Sequence, residues 1–264
     1  MISNESDLDE FRGAAVGVVG ASRGIGRAVA RAFAERGARL LLMARSEALD
    51  EAAREMTGAA ETLAVRCDIA DEAGVRGAIG QAEDRWGALD VLVNAAAVLG
   101  PTGESWQTDP LEWEQTIRAN LVGPYFTIRA ALPGMIARRR GKIVNFAGGG
   151  AAYGYPRFSA YGTAKAGLVR LTETLALECA PHNVQVNIVA PGAIETELLA
   201  AVRAAGGEVR TTGRMADAVA VVLYLASRAA DGVSGRFLHA RDAYRDFPPV
   251  LPQELYTLRR VESV

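Results

Sequence analysis

Short apolar runs that alternate with longer amphipathic ones predict an α/β chain: a parallel sheet with helices on both faces. Runs at residues 14–20, 40–44, 63–67, 89–94, 142–147, 184–190 and 235–239 have the length and unbroken hydrophobicity of strands buried on both sides, giving about seven strands. Helical spacing fills the intervals 25–36, 47–56, 72–86, 110–137, 158–180 and 217–227. Strand and helix in strict alternation build right-handed βαβ units. The third observation is size: 264 residues, half of them hydrophobic and 23% charged, suffice for one large core. No internal repeat and no linker-like stretch interrupts the chain, so residues 1–264 read as a single domain, with its core at about 11–242 and a polar tail at 243–264.

Charge and composition exclude several classes. Lys plus Arg is 29 against 31 for Asp plus Glu, so no basic footprint for nucleic acid exists. Two cysteines and two histidines support neither a disulfide framework nor a metal site. No apolar stretch is long enough to span a membrane, and the acidic N-terminus lacks a signal core, so a cytoplasmic location is expected. The basic run Arg138-Arg139-Arg140 closes a helical interval, where cations suit the dipole.

The first strand runs into Gly20-Ala21-Ser22-Arg23-Gly24-Ile25-Gly26, which opens the first helix. Glycines there permit a tight turn and close approach of backbone to a pyrophosphate, and the helix start offers free N–H groups and a positive dipole end. In this strand–turn–helix setting the motif predicts a Rossmann-type, doubly wound dinucleotide-binding domain. An NAD site usually places an acid at the end of the second strand for the ribose 2′-hydroxyl. This chain has Ala44-Arg45 instead, with Arg23 inside the glycine turn. Two guanidiniums suit a 2′-phosphate, so NADP(H) is the expected cofactor.

Tyr161 and Lys165 stand at i and i+4, on one helix face. The chain has only two lysines against 27 arginines, so a lysine in this position is informative. A neighbouring ammonium is expected to lower the tyrosine pKa and make the phenol a general acid or base for a carbonyl/alcohol pair.

With these motifs in order, the chain resembles the short-chain dehydrogenase/reductase family from about residue 11 to 242. The family's glycine motif matches Gly20, Gly24 and Gly26, with Ser22, Arg23 and Ile25 in the same turn. Its adenine-contacting Asp matches Asp68, followed by Ile69. Asn94 begins a run similar to the family's Asn-Asn-Ala-Gly motif, with two changes. Asn120 matches the asparagine that anchors a proton-relay water. Pro191, Gly192, Ile194 and Thr196 match the loop that holds the nicotinamide end. The resemblance implies that Tyr161 donates the proton, that Lys165 also binds the nicotinamide ribose, and that the chain is a homodimer or homotetramer acting on a small-molecule carbonyl or alcohol.

Two departures stand out. The family's substrate-orienting serine falls on Gly148, thirteen residues before the tyrosine, inside Gly148-Gly149-Gly150. Losing one preorganised donor costs on the order of 10²–10³ in rate unless another group replaces it. Ser159, Tyr153, Tyr155 and the glycine N–H groups are the candidates, or else Gly148 and Gly149 simply admit a large ligand. The substrate lid is also short, only residues 197–214, which leaves the tail from 241 as a candidate cover and Glu195, Glu197, Glu208 and Asp242 as candidate contacts for polar substrate groups. The leading expectation is an NADPH-dependent ketoreductase, on a polar, sugar-like or other biosynthetic intermediate. A cofactor-retaining epimerase or dehydratase of the same fold and a non-catalytic NADP(H)-binding protein remain as alternatives.

Overall fold

The structure is a computed structural model that describes residues 10–248, 251–252 and 254–258. The expected appendages fall partly outside it, at residues 1–9 and in the remainder of the tail. Seven strands, β1 (Ala15–Val19), β2 (Arg39–Ala44), β3 (Glu61–Arg66), β4 (Val91–Asn94), β5 (Gly141–Phe146), β6 (Val184–Ala190) and β7 (Phe237–His239), form one sheet in the order β3-β2-β1-β4-β5-β6-β7. Every neighbouring pair is parallel. The helices are α1 (Gly24–Ala34), α2 (Ala48–Arg54), α3 (Glu72–Trp86), α4 (Pro110–Ile117), α5 (Gly123–Ala137), α6 (Ser159–Cys179), α7 (Glu197–Ala204) and α8 (Met215–Ala226).

The period-two geometry of a strand splits its side chains between two cores. Val16, Val18, Leu40 and Leu42 point to one face, against Val29 and Phe33 of α1 and Val221, Val222 and Leu225 of α8. Ala15, Val19, Leu41 and Met43 point to the other, against Val75 and Ile79 of α3, Ile128 and Met135 of α5 and Leu175 of α6. Each fully buried side chain of this size contributes about 1.5–3 kcal/mol. The chain lays β2 and β3 on one side of β1, then returns to place β4 on the other. That reversal opens a crevice above the C-terminal ends of β1 and β4, where ligands of open α/β sheets bind.

Two polar features hold the layers in register. Asp90, just before β4, accepts from the Ala15 N–H at 2.9 Å and pairs with Arg138 and Arg140, two of the three cations of the basic run beyond α5. At the other end of the sheet a buried ladder crosses from α5 to α6: Thr127 Oγ1 donates to Asn94 Oδ1 (2.7 Å), Asn94 Nδ2 to Asn145 Oδ1 (2.9 Å), and Asn145 Nδ2 to Thr172 Oγ1 (2.9 Å).

The structure departs from the sequence expectation in three places. The single helix expected at 110–137 is interrupted by a π-helical turn, Arg118–Val122, that holds Asn120. The short lid contains a helix, α7, whose N-cap Thr196 accepts from the Leu199 N–H. The start of the tail reaches the crevice, where Asp242 lines its wall, whereas residues 251–252 and 254–258 run along the outer edge of the sheet. Phe237 N donates to Tyr256 O at 2.6 Å, Arg236 Nη1 donates to the carbonyls of Pro252 and Leu255, and Arg170 Nη2 donates to Leu258 O. Among the described residues, no helix is long and apolar enough to cross a membrane, and no His/Cys/Asp/Glu group could hold a metal.

Candidate active site

The glycine turn is shaped by close backbone approach. Gly20 has φ +83°, and a Cβ on it would stand 2.6 Å from Ala96 N. A Cβ on Gly26 would lie 2.2 Å from Gly20 O. Any side chain at either position would push α1 away from β1 or block the turn. Gly24, at φ +56°, has its open side toward Thr196 Cγ2, 3.6 Å from where a Cβ would be. No side chain caps α1 at Arg23, so its first N–H groups are left for a ligand. A cleft of about 720 Å³ runs past this turn, lined also by Ser22, Ile25, Arg45, Ser46, Asp68 and Ile69. These residues fit a nicotinamide dinucleotide: a glycine cradle for the pyrophosphate, with an apolar and a charged wall beyond it.

Both arginines singled out in the sequence face this cleft, and both are paired. Arg45 Nη1 meets Asp68 Oδ2 at 3.3 Å, and Arg23 pairs with Glu197 at the start of α7. The four side chains are 44–73% exposed, so these pairs are weak and exchange readily for a stronger anion. Ser46, beside Arg45, was not singled out from the sequence. Its place at a strand end beside an arginine was the available signal.

A second cavity of about 480 Å³ shares Ile25, Ala95, Ala97, Thr196 and Leu198 with the first, so the two form one continuous cleft. It brings together Tyr161, Lys165, Gly148, Gly149, Tyr155, Pro191, Gly192 and Ile194. Lys165 is 2% exposed and donates from Nζ to Phe146 O at 2.7 Å, with the Tyr161 ring centroid 5.8 Å away. Burial, with no carboxylate partner among the described residues, pushes its pKa down to about 8. Tyr161 is 6% exposed, and burial first, then Tyr155, raise its phenol above the ordinary value. The direction is opposite to the lowering expected from the i,i+4 spacing: desolvation of the phenolate is the leading cause, and the Lys165 ammonium donates to a backbone carbonyl.

Three sequence candidates sit elsewhere than expected. The Asn94 side chain does not line the cleft, because both its polar atoms are engaged in the buried ladder. Asn120 is fully buried and its side chain grips the Val98 backbone, accepting from the N–H at 2.9 Å and donating to the carbonyl at 2.7 Å. What it presents toward α6 is the π turn around it, a distortion frequent at functional sites. Ser159 accepts from Trp113 Nε1 at 3.1 Å and is absent from the cavity wall, so it is no substitute for the missing serine. Tyr155 lines the cavity with its ring, but its hydroxyl donates to Glu208 O at 3.0 Å. Of the acids, Glu195 pairs with Arg203, while Glu208 and Asp242 line the cavity.

A doubly wound sheet, a glycine cradle at its switch point and a buried Tyr–Lys pair beside it define a dinucleotide-dependent oxidoreductase. A family model described as short chain dehydrogenase matches residues 14–206, and the chain belongs to that family. It is 36% identical over 235 residues to a cis-4-hydroxycyclohexanecarboxylate dehydrogenase of Sinomonas cyclohexanicum, covering 86% of this chain and 94% of the relative. It is 36% identical over 229 residues to a 3-oxoacyl-[acyl-carrier-protein] reductase of Vibrio harveyi, covering 84% and 93%. The crystal structure of an NAD⁺-bound xylitol dehydrogenase superposes with a TM-score of 0.78 at 26% identity, over 87% of this chain and 98% of that one.

The Gly148 position yields a prediction that differs from simple restoration of a hydroxyl. A Cβ there would stand 2.3 Å from the Tyr161 hydroxyl oxygen and 3.0 Å from two ring carbons. Gly148→Ser is therefore expected to displace the phenol and, if that phenol takes part in the reaction, to lower kcat by about tenfold or more, because misplacing a reacting group costs rate steeply. Steady-state turnover of a simple ketone checks this, and a rise in kcat would show that the tyrosine yields without loss.

Proposed function

We propose that this oxidoreductase reduces a ketone to a secondary alcohol with NADPH, and that Tyr161 is its proton donor. The observation that carries the reading is the buried Tyr161–Lys165 pair in a cavity continuous with the glycine-turn cleft. Bound nicotinamide supplies the hydride, and the protein supplies position and the proton. A phenol kept protonated by burial is in the right state to donate to a carbonyl oxygen. Lys165, held at Phe146 O, fixes the first turns of α6 and presents an ammonium for a ribose hydroxyl. The Asn120 grip on Val98 sets the π turn behind α6 and makes that asparagine a positioning residue in this reading.

For the cofactor, Gly20, Ser22, Gly24, Ile25 and Gly26 cradle the pyrophosphate, Asp68 and Ile69 flank the adenine, and Pro191, Gly192, Ile194 and Thr196 hold the nicotinamide end. Arg23, Arg45 and Ser46 take the 2′-phosphate. The absence of any acid at the end of β2 supports NADP(H). The substrate walls are largely apolar and aromatic, with Phe146, Tyr155, Leu199, Val202 and Phe237 among them. They suit a substrate with an apolar body better than a polyhydroxylated sugar. For self-association as a homodimer or homotetramer, the 70% exposed Leu177 on α6 and 62% exposed Leu111 on α4 are the apolar side chains to examine.

Tyr161→Phe is expected to lower kcat by about 10²–10⁴-fold while NADPH affinity changes by less than about twofold, because the hydroxyl serves proton transfer. A ketone panel followed at 340 nm, with fluorescence titration of NADPH, measures both, and near-full activity in the variant would remove Tyr161 from the mechanism. NADPH is expected to bind more tightly than NADH, and Arg45→Asp to narrow or reverse that preference by replacing a phosphate partner with a repelling carboxylate. Equal affinities in the wild type would contradict the 2′-phosphate reading.

A further inference from the structure

The substrate cavity has a wall that leads away from the proposed proton donor to a single cation. Gly148 lies directly against the Tyr161 hydroxyl, and Gly149 against the Tyr155 ring, where a Cβ would be 2.8 Å from Cε1. Tyr155 stands edge-on to Tyr153, with centroids 6.4 Å apart. The Arg210 guanidinium lies over the Tyr153 ring at 4.0 Å. Tyr153, Tyr155 and Arg210 all line the same cavity as Tyr161.

Arg210 is held in place from several sides. Tyr155 Oη donates to Glu208 O at 3.0 Å on one side of it, and Ala193 N donates to Thr211 O at 2.8 Å on the other. Stacking on Tyr153 fixes the plane of the fork. Its one side-chain hydrogen-bond partner among the described residues is Glu208, reached only through Nε at 3.4 Å, with 48% and 69% of the two side chains exposed. Among the described residues neither Nη group has a partner. A single long contact between exposed groups is weak, whereas a carboxylate docked on two N–H groups makes a bidentate, charge-assisted pair. The other acid of the wall, Asp242, is turned inward, its Oδ2 accepting from the His239 N–H at 2.7 Å.

We propose that Arg210 is the anion-recognition residue of the substrate cavity, and that the substrate is a ketone with an apolar body and a carboxylate remote from the reacting carbon. The proposal rests on the reductase reading for the position of the carbonyl. The carbonyl lies at Tyr161, the body follows Tyr155 and Tyr153, and the carboxylate replaces Glu208 as the partner of Arg210. One fork matches one carboxylate, and Glu208 competes with the substrate for it.

The test compares 4-oxocyclohexanecarboxylate with 4-methylcyclohexanone, a neutral ketone of similar shape, in the wild type and in Arg210→Gln, Arg210→Lys and Glu208→Gln. The wild type is expected to favour the carboxylate in kcat/KM by about tenfold or more. Arg210→Gln should cut that preference about 10- to 100-fold, mainly through KM, the range for a hydrogen bond to a charged group. Arg210→Lys should retain part of it as a point charge without a fork. Glu208→Gln should raise affinity for the carboxylate several-fold, an increase that a merely structural role of the loop would not produce. An unchanged ratio in Arg210→Gln, or weaker carboxylate binding in Glu208→Gln, overturns the proposal. If neither ketone is reduced, the reductase reading fails separately, and calorimetry with cyclohexanecarboxylate decides about Arg210. Binding by the wild type that is lost in Arg210→Gln upholds it, and equal binding or none in both overturns it.

Discussion

A buried ammonium without a carboxylate partner is costly, and this chain spends that cost on one bond: Lys165 Nζ to the carbonyl of Phe146, at 2.7 Å. Phe146 is the last residue of β5, two positions before Gly148, and Lys165 lies one turn beyond Tyr161 on α6. The bond therefore fixes α6, which carries Tyr161, against the strand end from which the glycine run Gly148–Gly150 departs. The phenol, the glycine run and the cavity wall inherit their spacing from it. Because burial holds the lysine near 8 against 10.5 for a free one, the folded chain binds this proton less readily than the unfolded chain. Its contribution to stability is unfavourable below about pH 8 and is relieved as the pH rises toward 10.5. Stability is given up at neutral pH for a placed cation.

The rest of the sheet makes that placement possible. The order β3-β2-β1-β4-β5-β6-β7 gathers the C-terminal ends of β1, β4, β5 and β6 on one rim, so the glycine turn and the Tyr–Lys helix open onto one cleft. The Thr127–Asn94–Asn145–Thr172 ladder ties both flanking helices to the two central strands just below that rim. Every group in it has a partner, as a buried polar chain must if it is to hold a fold in register. Arg45, Asp68, Arg23 and Glu197 are exposed by contrast, and their pairs can exchange for a ligand.

Much of this was legible in the sequence because it depends on spacing. The strand–helix alternation gives the parallel sheet, the glycine turn follows a strand, and Tyr161 and Lys165 share a helix face at any rotation of that helix. What was not legible depends on side-chain direction after packing. Asn94 carries a motif resemblance, but the β4–β5 register sets it opposite Asn145 and inside the core. Ser159 is two residues from Tyr161, so it faces away on the helix and meets Trp113. The tyrosine's raised pKa follows from desolvation, which sequence separation does not reveal. The edge course of the tail depends on Arg236 and Arg170 reaching backbone carbonyls far along the chain, and no local pattern marks that.

Lys165 is a buried, carbonyl-bound cation whose ionisation is governed by desolvation. The most direct measurement is a titration of its side-chain nitrogen by NMR in ¹⁵N-lysine-labelled protein without cofactor, where the chain's only other lysine, Lys142, is assigned by substitution. A midpoint near 8 is expected. A midpoint near the ordinary 10.5 would mean that the ammonium is solvated, and the arrangement of α6 against β5 described here would be contradicted.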